Sequence, residues 1–228
     1  MSVPDSLGEA HARRRNVRFW HAFIWLLIGA VAYGVALAVA LLLYPDPKDA
    51  LPPVVGPSLY LTPLFGLPYL VVSARQRGWV RRLLYFTLVL TAVHMIANYL
   101  SWRHGVITFP LEPDASEYGR DLFTGAIGGC AGAVLAFTAL FSMRMAPRTP
   151  TTRLIALLGV AALTALGAIG MAQGLAWSHA LELPLRPGRF VIWYLCVHLP
   201  WQAALAFFLA WLMRLGRRSM TRVSPQTS

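Results

Sequence analysis

The chain has 228 residues, of which 57% are apolar and only 13% charged, with a mean hydropathy of +0.56. A soluble domain carries about 25% charged residues and rarely exposes large apolar patches, so a soluble enzyme, a disordered tail and a disulfide scaffold are excluded. The formal charge of +11, from 20 basic and 9 acidic residues, reads in so apolar a chain as membrane topology rather than nucleic-acid binding, because translocation leaves Lys and Arg on the cytoplasmic side.

A run of about 20 apolar residues crosses the hydrocarbon core, and six runs qualify. The expected fold is all-α: a polytopic membrane bundle of six transmembrane helices. Residues 1–18 form a basic N-terminal tail holding Arg13, Arg14, Arg15 and Arg18. The first span, Phe19–Tyr44, follows. Its apolar run of about 25 residues exceeds the 7–15 of a signal-peptide core, so it is expected to remain as an uncleaved span. The second span, Ser58–Ala74, is short and carries Pro63 and Pro68 just after Pro57. Proline removes an intrahelical hydrogen bond and kinks a helix. The third and fourth spans are Leu83–Trp102 and Leu122–Met143. The fifth is Leu154–Trp177 and the sixth Phe190–Met213, before a basic tail at 214–228.

The connecting segments alternate in charge. Segments 1–18, 75–82, 144–153 and 214–228 hold 15 arginines against Asp5 and Glu9. The opposite segments hold Lys48, Arg103, Arg120, Arg186 and Arg189 against seven acids. Six spans with both termini cytoplasmic satisfy this asymmetry at every loop. Trp20, Trp79 and Trp211 then fall near inner boundaries, and Trp102, Trp177 and Trp193 near outer ones, as interfacial rings prefer. Nearly all basic residues are Arg, which points to GC-rich bacterial coding and hence to the bacterial inner membrane. Cys130 and Cys196 both lie in apolar runs and read as small buried residues.

Two packing signals stand out. The fourth span carries Gly125, Gly128, Gly129 and Gly132, and the fifth Gly170 and Gly174. Small residues let helices approach closely in lipid. The fourth-span glycines either pack spans four and five together or form a face for a membrane-protein partner or a second copy.

The polar stripes of spans three and six are the most informative feature. Thr87, Thr91, His94, Asn98 and Ser101 are spaced 4, 3, 4, 3, and Tyr194, His198 and Gln202 are spaced 4, 4. Each set lies on one helical face, and polar groups avoid lipid, so both stripes should point inward. His94 and His198 each lie ~12 Å below the outer boundary at about 1.5 Å per residue. Asn98 matches Tyr194 in depth, and Thr91 matches Gln202. Spans three and six are therefore expected to be adjacent and antiparallel, joined by this ladder.

Three readings fit the ladder. It can be structural, each interhelical hydrogen bond contributing about 0.6 kcal/mol. It can hold haem b, with His94 and His198 as axial ligands. It can line an outward-facing site in which Thr91, Asn98, Tyr194 and Gln202 bind a small solute, a quinone or a lipid headgroup. His104 and His179, at outer span ends near the acidic segment 112–121, are candidate ligands for a divalent metal.

Coupled transporters keep a charge within the membrane, and no span has one at its middle. No nucleophile, base and orienting group can be assembled either, so enzymatic activity would require a cofactor. The sequence points first to a non-enzymatic multi-pass inner-membrane protein, a sensing, assembly or accessory subunit acting through helix contacts. A haem b redox protein and a small-solute or lipid permease are the alternatives.

Overall fold

The computed structural model describes residues 6–43, 56–76, 78–111, 117–180 and 186–220. The side chains of 6–18, 108–111, 179, 186–190 and 216–220 lie outside the description. The predicted loop acids Asp46, Asp49, Glu112, Asp114 and Glu182, with Lys48, Arg186 and Arg189, fall in those excluded parts.

All the described elements are helical. They are α1 (Ser6–Leu43), α2 (Pro57–Tyr60), α3 (Pro63–Val72), α4 (Trp79–Leu84), a π-helical turn (Tyr85–Val89), α5 (Leu90–Leu111), α6 (Glu117–Ser142), α7 (Pro150–Ala180) and α8 (Arg186–Met220). Five segments are long and apolar enough to cross a membrane: Phe19–Leu43, Trp79–Ile107, Glu117–Ser142, Pro150–Ser178 and Val191–Leu215. The shortest, 25 residues, spans about 37 Å at 1.5 Å per residue, against about 30 Å of hydrocarbon. The second span is the exception. Its apolar stretch Pro57–Val72 is shorter and breaks at Leu61–Thr62, where Pro63 starts a new helix. The helices overrun the predicted tails: α1 begins at Ser6 and α8 continues to Met220.

The outer surface has the character of a lipid-facing one. Along α1, Ile24, Ile28, Val31, Val35, Val39 and Leu42 are all exposed. Their spacing of three and four places them on one face. Leu154, Leu157 and Leu158 of α7 and Leu84 and Leu88 of the third span do the same elsewhere. Apolar exposure of this extent is not sustained in water.

The spans close into a ring in chain order. α1 packs on α3, α3 on the π-turn, α5 on α6, α6 on α7, α7 on α8, and α8 returns to α1. Spans three and six, expected as neighbours, are instead separated by this ring. Their backbones do not form one of its substantial interfaces, and their side chains meet across its interior. The reason lies in the glycines. A Cβ on Gly129 would stand 2.7 Å from the Leu163 carbonyl oxygen, and one on Gly167 2.7 Å from the Gly125 oxygen and 2.9 Å from Gly129 Cα. Backbone therefore meets backbone between α6 and α7. Gly170 likewise meets the Cys196 carbonyl of α8, at 2.6 Å from its Cβ position. Pro200 removes the helical donor for that carbonyl. The other fourth-span glycines also face inward, Gly128 against Ser101 and Gly132 against Trp201. The glycine face considered for an external partner is occupied within the chain by spans three, five and six.

The end at which α1 begins and α8 finishes carries the turns 73–76 and 143–149, with Arg75, Arg144 and Arg148, and is called here the basic end; the opposite is the far end. Near the basic end, Tyr85, Phe86, Leu140, Leu209 and Leu212 are completely buried. Phe207 stands edge-on to Phe19, Phe23, Phe208 and Trp211. Arg82 is buried there, its Nη2 donating to the carbonyls of Ser73 and Gln76 (3.2 and 3.0 Å) and so capping the end of α3.

Candidate functional site: a polar cavity in the ring

Two irregularities shape the site, the π-turn in span three and the break in span two. Consecutive residues of an α-helix point about 100° apart, yet Tyr85 and Phe86 are both fully buried. The π-turn accomplishes this by inserting a residue into the helical repeat. The Tyr85 hydroxyl donates to the Ala136 carbonyl at 3.0 Å, and the Phe86 ring lies against Gly66. The turn also breaks the even stripe expected along span three. Thr87 donates back to the Leu83 carbonyl, and Thr91 to the Thr87 carbonyl (2.7 and 2.6 Å). Thr91 therefore does not pair with Gln202 as its depth suggested; its hydroxyl is spent within its own helix.

Beyond the turn, His94 and His198 come together, their ring centroids 5.1 Å apart in an edge-to-face contact. Tyr194 stacks on His198 from one helical turn away, and Tyr33 of α1 packs against it edge-on. The break in span two supplies the remaining partner. Thr62 Oγ1 lies 2.7 Å from His94 Nδ1 and donates to the Ser58 carbonyl at 3.1 Å; that carbonyl also accepts from the Tyr33 hydroxyl at 3.2 Å. One hydrogen-bonded cluster thus joins spans one, two and three, and aromatic contacts add span six.

The cluster borders a central cavity of about 100 Å³ lined from spans two to six, including His94, Asn98, His198, Trp201 and Gln202. A second space of about 300 Å³ continues toward the far end. The two share Asn98, Ser101, Met171, Val197 and His198, and Tyr194 lines the second. Of the predicted site residues, His94, Asn98, Tyr194, His198 and Gln202 are therefore brought to one connected space, and Thr91 is not. Ser101 turns to α6, its hydroxyl donating to the Thr124 carbonyl at 2.9 Å.

Three buried polar atoms at the central cavity have no protein partner: His94 Nε2, Trp201 Nε1 and Gln202 Oε1. Burying such a group without a hydrogen bond costs about 1–3 kcal/mol, and here three of them belong to residues lining one space. No Asp, Glu, Lys or Arg lines it, and Asp121 is the only acid at the second space.

The pair does not fit a haem as it stands. Metal–imidazole bonds of about 2 Å put two axial nitrogens about 4 Å apart on opposite sides of the macrocycle. His94 and His198 touch each other, leaving no room for a porphyrin between them. The metal reading for His104 and His179 divides. The side chain of His179 lies outside the described residues. His104 Nδ1 is 3.0 Å from the Thr124 hydroxyl, and its ring stacks on Phe123. Among the described residues no cluster of three His, Cys, Asp or Glu side chains has metal-binding geometry.

Sequence reasoning missed Thr62, Tyr33, Trp201 and Gly167. Pro63, beside Thr62 where span two breaks, was one available signal; Pro200, beside Trp201, lies inside the continuous α8. The π-turn has no such signal. No protein-family model, curated protein or solved structure matches the chain.

Proposed function

We propose that the protein is a non-enzymatic, multi-pass protein of the bacterial inner membrane, its basic end cytoplasmic, that binds a small uncharged molecule in the central cavity and acts as a sensing or accessory subunit. The single observation that carries the binding reading is that three residues lining one cavity free of charged side chains each carry a buried, unpartnered polar atom. A charged guest would stay uncompensated in a low-dielectric site, whereas a neutral hydrogen-bonding guest satisfies it. The far-end space supplies the approach. The basic end is closed by packed aromatic rings, which favours a binding site over an open permease path. The orientation rests on the arginine asymmetry of the loops.

Native mass spectrometry of protein released from nanodiscs tests the binding reading. The expected result is a bound small-molecule adduct, reduced at least several-fold in Val197→Phe, which fills the space common to both cavities. An adduct-free spectrum from freshly prepared membranes, or an adduct indifferent to Val197→Phe in a correctly folded variant, refutes it.

A further inference from the structure

Apart from the cavity, we infer that the seam between α1 and α8 holds, at its basic end, the phosphate of an anionic phospholipid on Arg214. This arginine differs from the others described at that end. Arg75, Arg81, Arg144, Arg148 and Arg153 are exposed. Arg82 is buried and donates to the carbonyls of Ser73 and Gln76. Arg214 is half-buried, and its Nε is buried with no hydrogen-bond partner. No described carboxylate neutralises it: Glu117 and Asp121, the acids whose side chains are described, both lie near the start of α6, at the far end. A partly desolvated guanidinium without a counter-ion is costly. Its fork of N–H groups matches two oxygens of one phosphate.

The surroundings suit a lipid rather than a soluble anion. Arg214 follows Phe207 by seven residues and so lies on the same face of α8. Phe207 meets Phe19 and Phe23 of α1 edge-on, and Trp211 stands edge-on to Phe207. That face therefore runs along the α1–α8 seam. Trp20 and Trp211 are exposed beside it, as rings at a membrane boundary are. From Trp20, the exposed Ile24, Ile28 and Val31 continue along α1 and give an acyl chain an apolar course away from its headgroup. In sequence, Arg18 precedes Phe19 in α1, and Arg217 and Arg218 follow Arg214 in α8. This excess of positive charge favours a net-negative headgroup over a zwitterionic one, whose cationic group it repels.

The test titrates the full chain, purified in a non-ionic detergent, with phosphatidylglycerol or with phosphatidylcholine of the same acyl chains. Native mass spectrometry reads the lipid-bound species. We expect the first phosphatidylglycerol to bind about fivefold more tightly than the first phosphatidylcholine, the worth of one arginine contact at a membrane boundary. Arg214→Gln should remove most of that preference, and Arg148→Gln, which changes an exposed arginine of the same end, should leave it. Equal affinity for the two lipids in the unmodified protein overturns the inference, independently of any variant's folding. A preference that survives Arg214→Gln, or that falls alike in both variants, also overturns it, since charge spread over the whole end then accounts for the binding. Soluble glycerol phosphate, added in place of lipid, separates the two sources of phosphate. It is expected to leave the unfolding midpoint unchanged. A rise matching that given by phosphatidylglycerol assigns the site to a soluble anion and overturns the lipid assignment.

Discussion

The two halves of the ring solve the same problem in opposite ways. Toward the basic end, two large polar side chains that enter the interior reach carbonyls, Tyr85 that of Ala136 and Arg82 those of Ser73 and Gln76, while Ser73 Oγ and Arg214 Nε stay without hydrogen-bond partners. Aromatic and aliphatic side chains fill the rest. Around His94 and His198 the chain brings polar atoms inward and leaves His94 Nε2, Trp201 Nε1 and Gln202 Oε1 without partners, beside empty space. Stability accounts for the first half. The second leaves hydrogen bonds unmade on residues that line a cavity. Unpartnered polar atoms occur in both halves, but among the described residues only around His94 and His198 do three of them belong to residues lining one cavity.

Substitutions can break this contrast. The largest effect is expected in the filled half. Phe86→Ala removes a fully buried ring packed on Tyr69, Tyr85 and Gly66 and should cost about 3–5 kcal/mol, read as a lowered unfolding midpoint in detergent. A loss below about 1 kcal/mol would show that this half is not tightly packed. Gly129→Val comes next. Its side chain would collide with the α7 backbone at Leu163 and Gly167. Main chain cannot yield as a side-chain tip does, so about 3 kcal/mol or more should be lost. The same measurement checks it, and normal stability would mean that α6 and α7 are not in direct backbone contact.

The smallest stability effect, and the sharpest contrast, belongs to Gln202→Leu. In a satisfied interior, removing a buried amide is destabilising. At the cavity the change deletes an acceptor that has no partner, so the guest-free protein should unfold within about 0.5 kcal/mol of the original or become more stable. A loss of 2 kcal/mol or more would place a protein partner on Gln202 and remove it from the site.

Much of the site was legible because helical spacing is regular wherever the helix is. From His94 to Asn98, and from Tyr194 through His198 to Gln202, intervals of four carried the residues to one space. The reading failed at Thr91, where the π-turn preceding it shifted the register and a back-bond to Thr87 took up the hydroxyl. It failed again on adjacency. Equal depth of two polar stripes states that they can meet, and not whether they do so as neighbours or across a ring.

The sequence by itself determined the helical class, the apolar spans, the weakness of the second one and the inward direction of the two histidines. These follow from local properties: hydropathy over about 20 residues, the missing N–H of proline and the cost of polar groups in lipid. Only the tertiary structure decided that the glycines hold α6 against α7, that Thr62 and Tyr33 complete the histidine cluster, and that a cavity with unpartnered polar atoms lies between spans three and six. Those depend on how six helices close into a ring, and no single span carries that information.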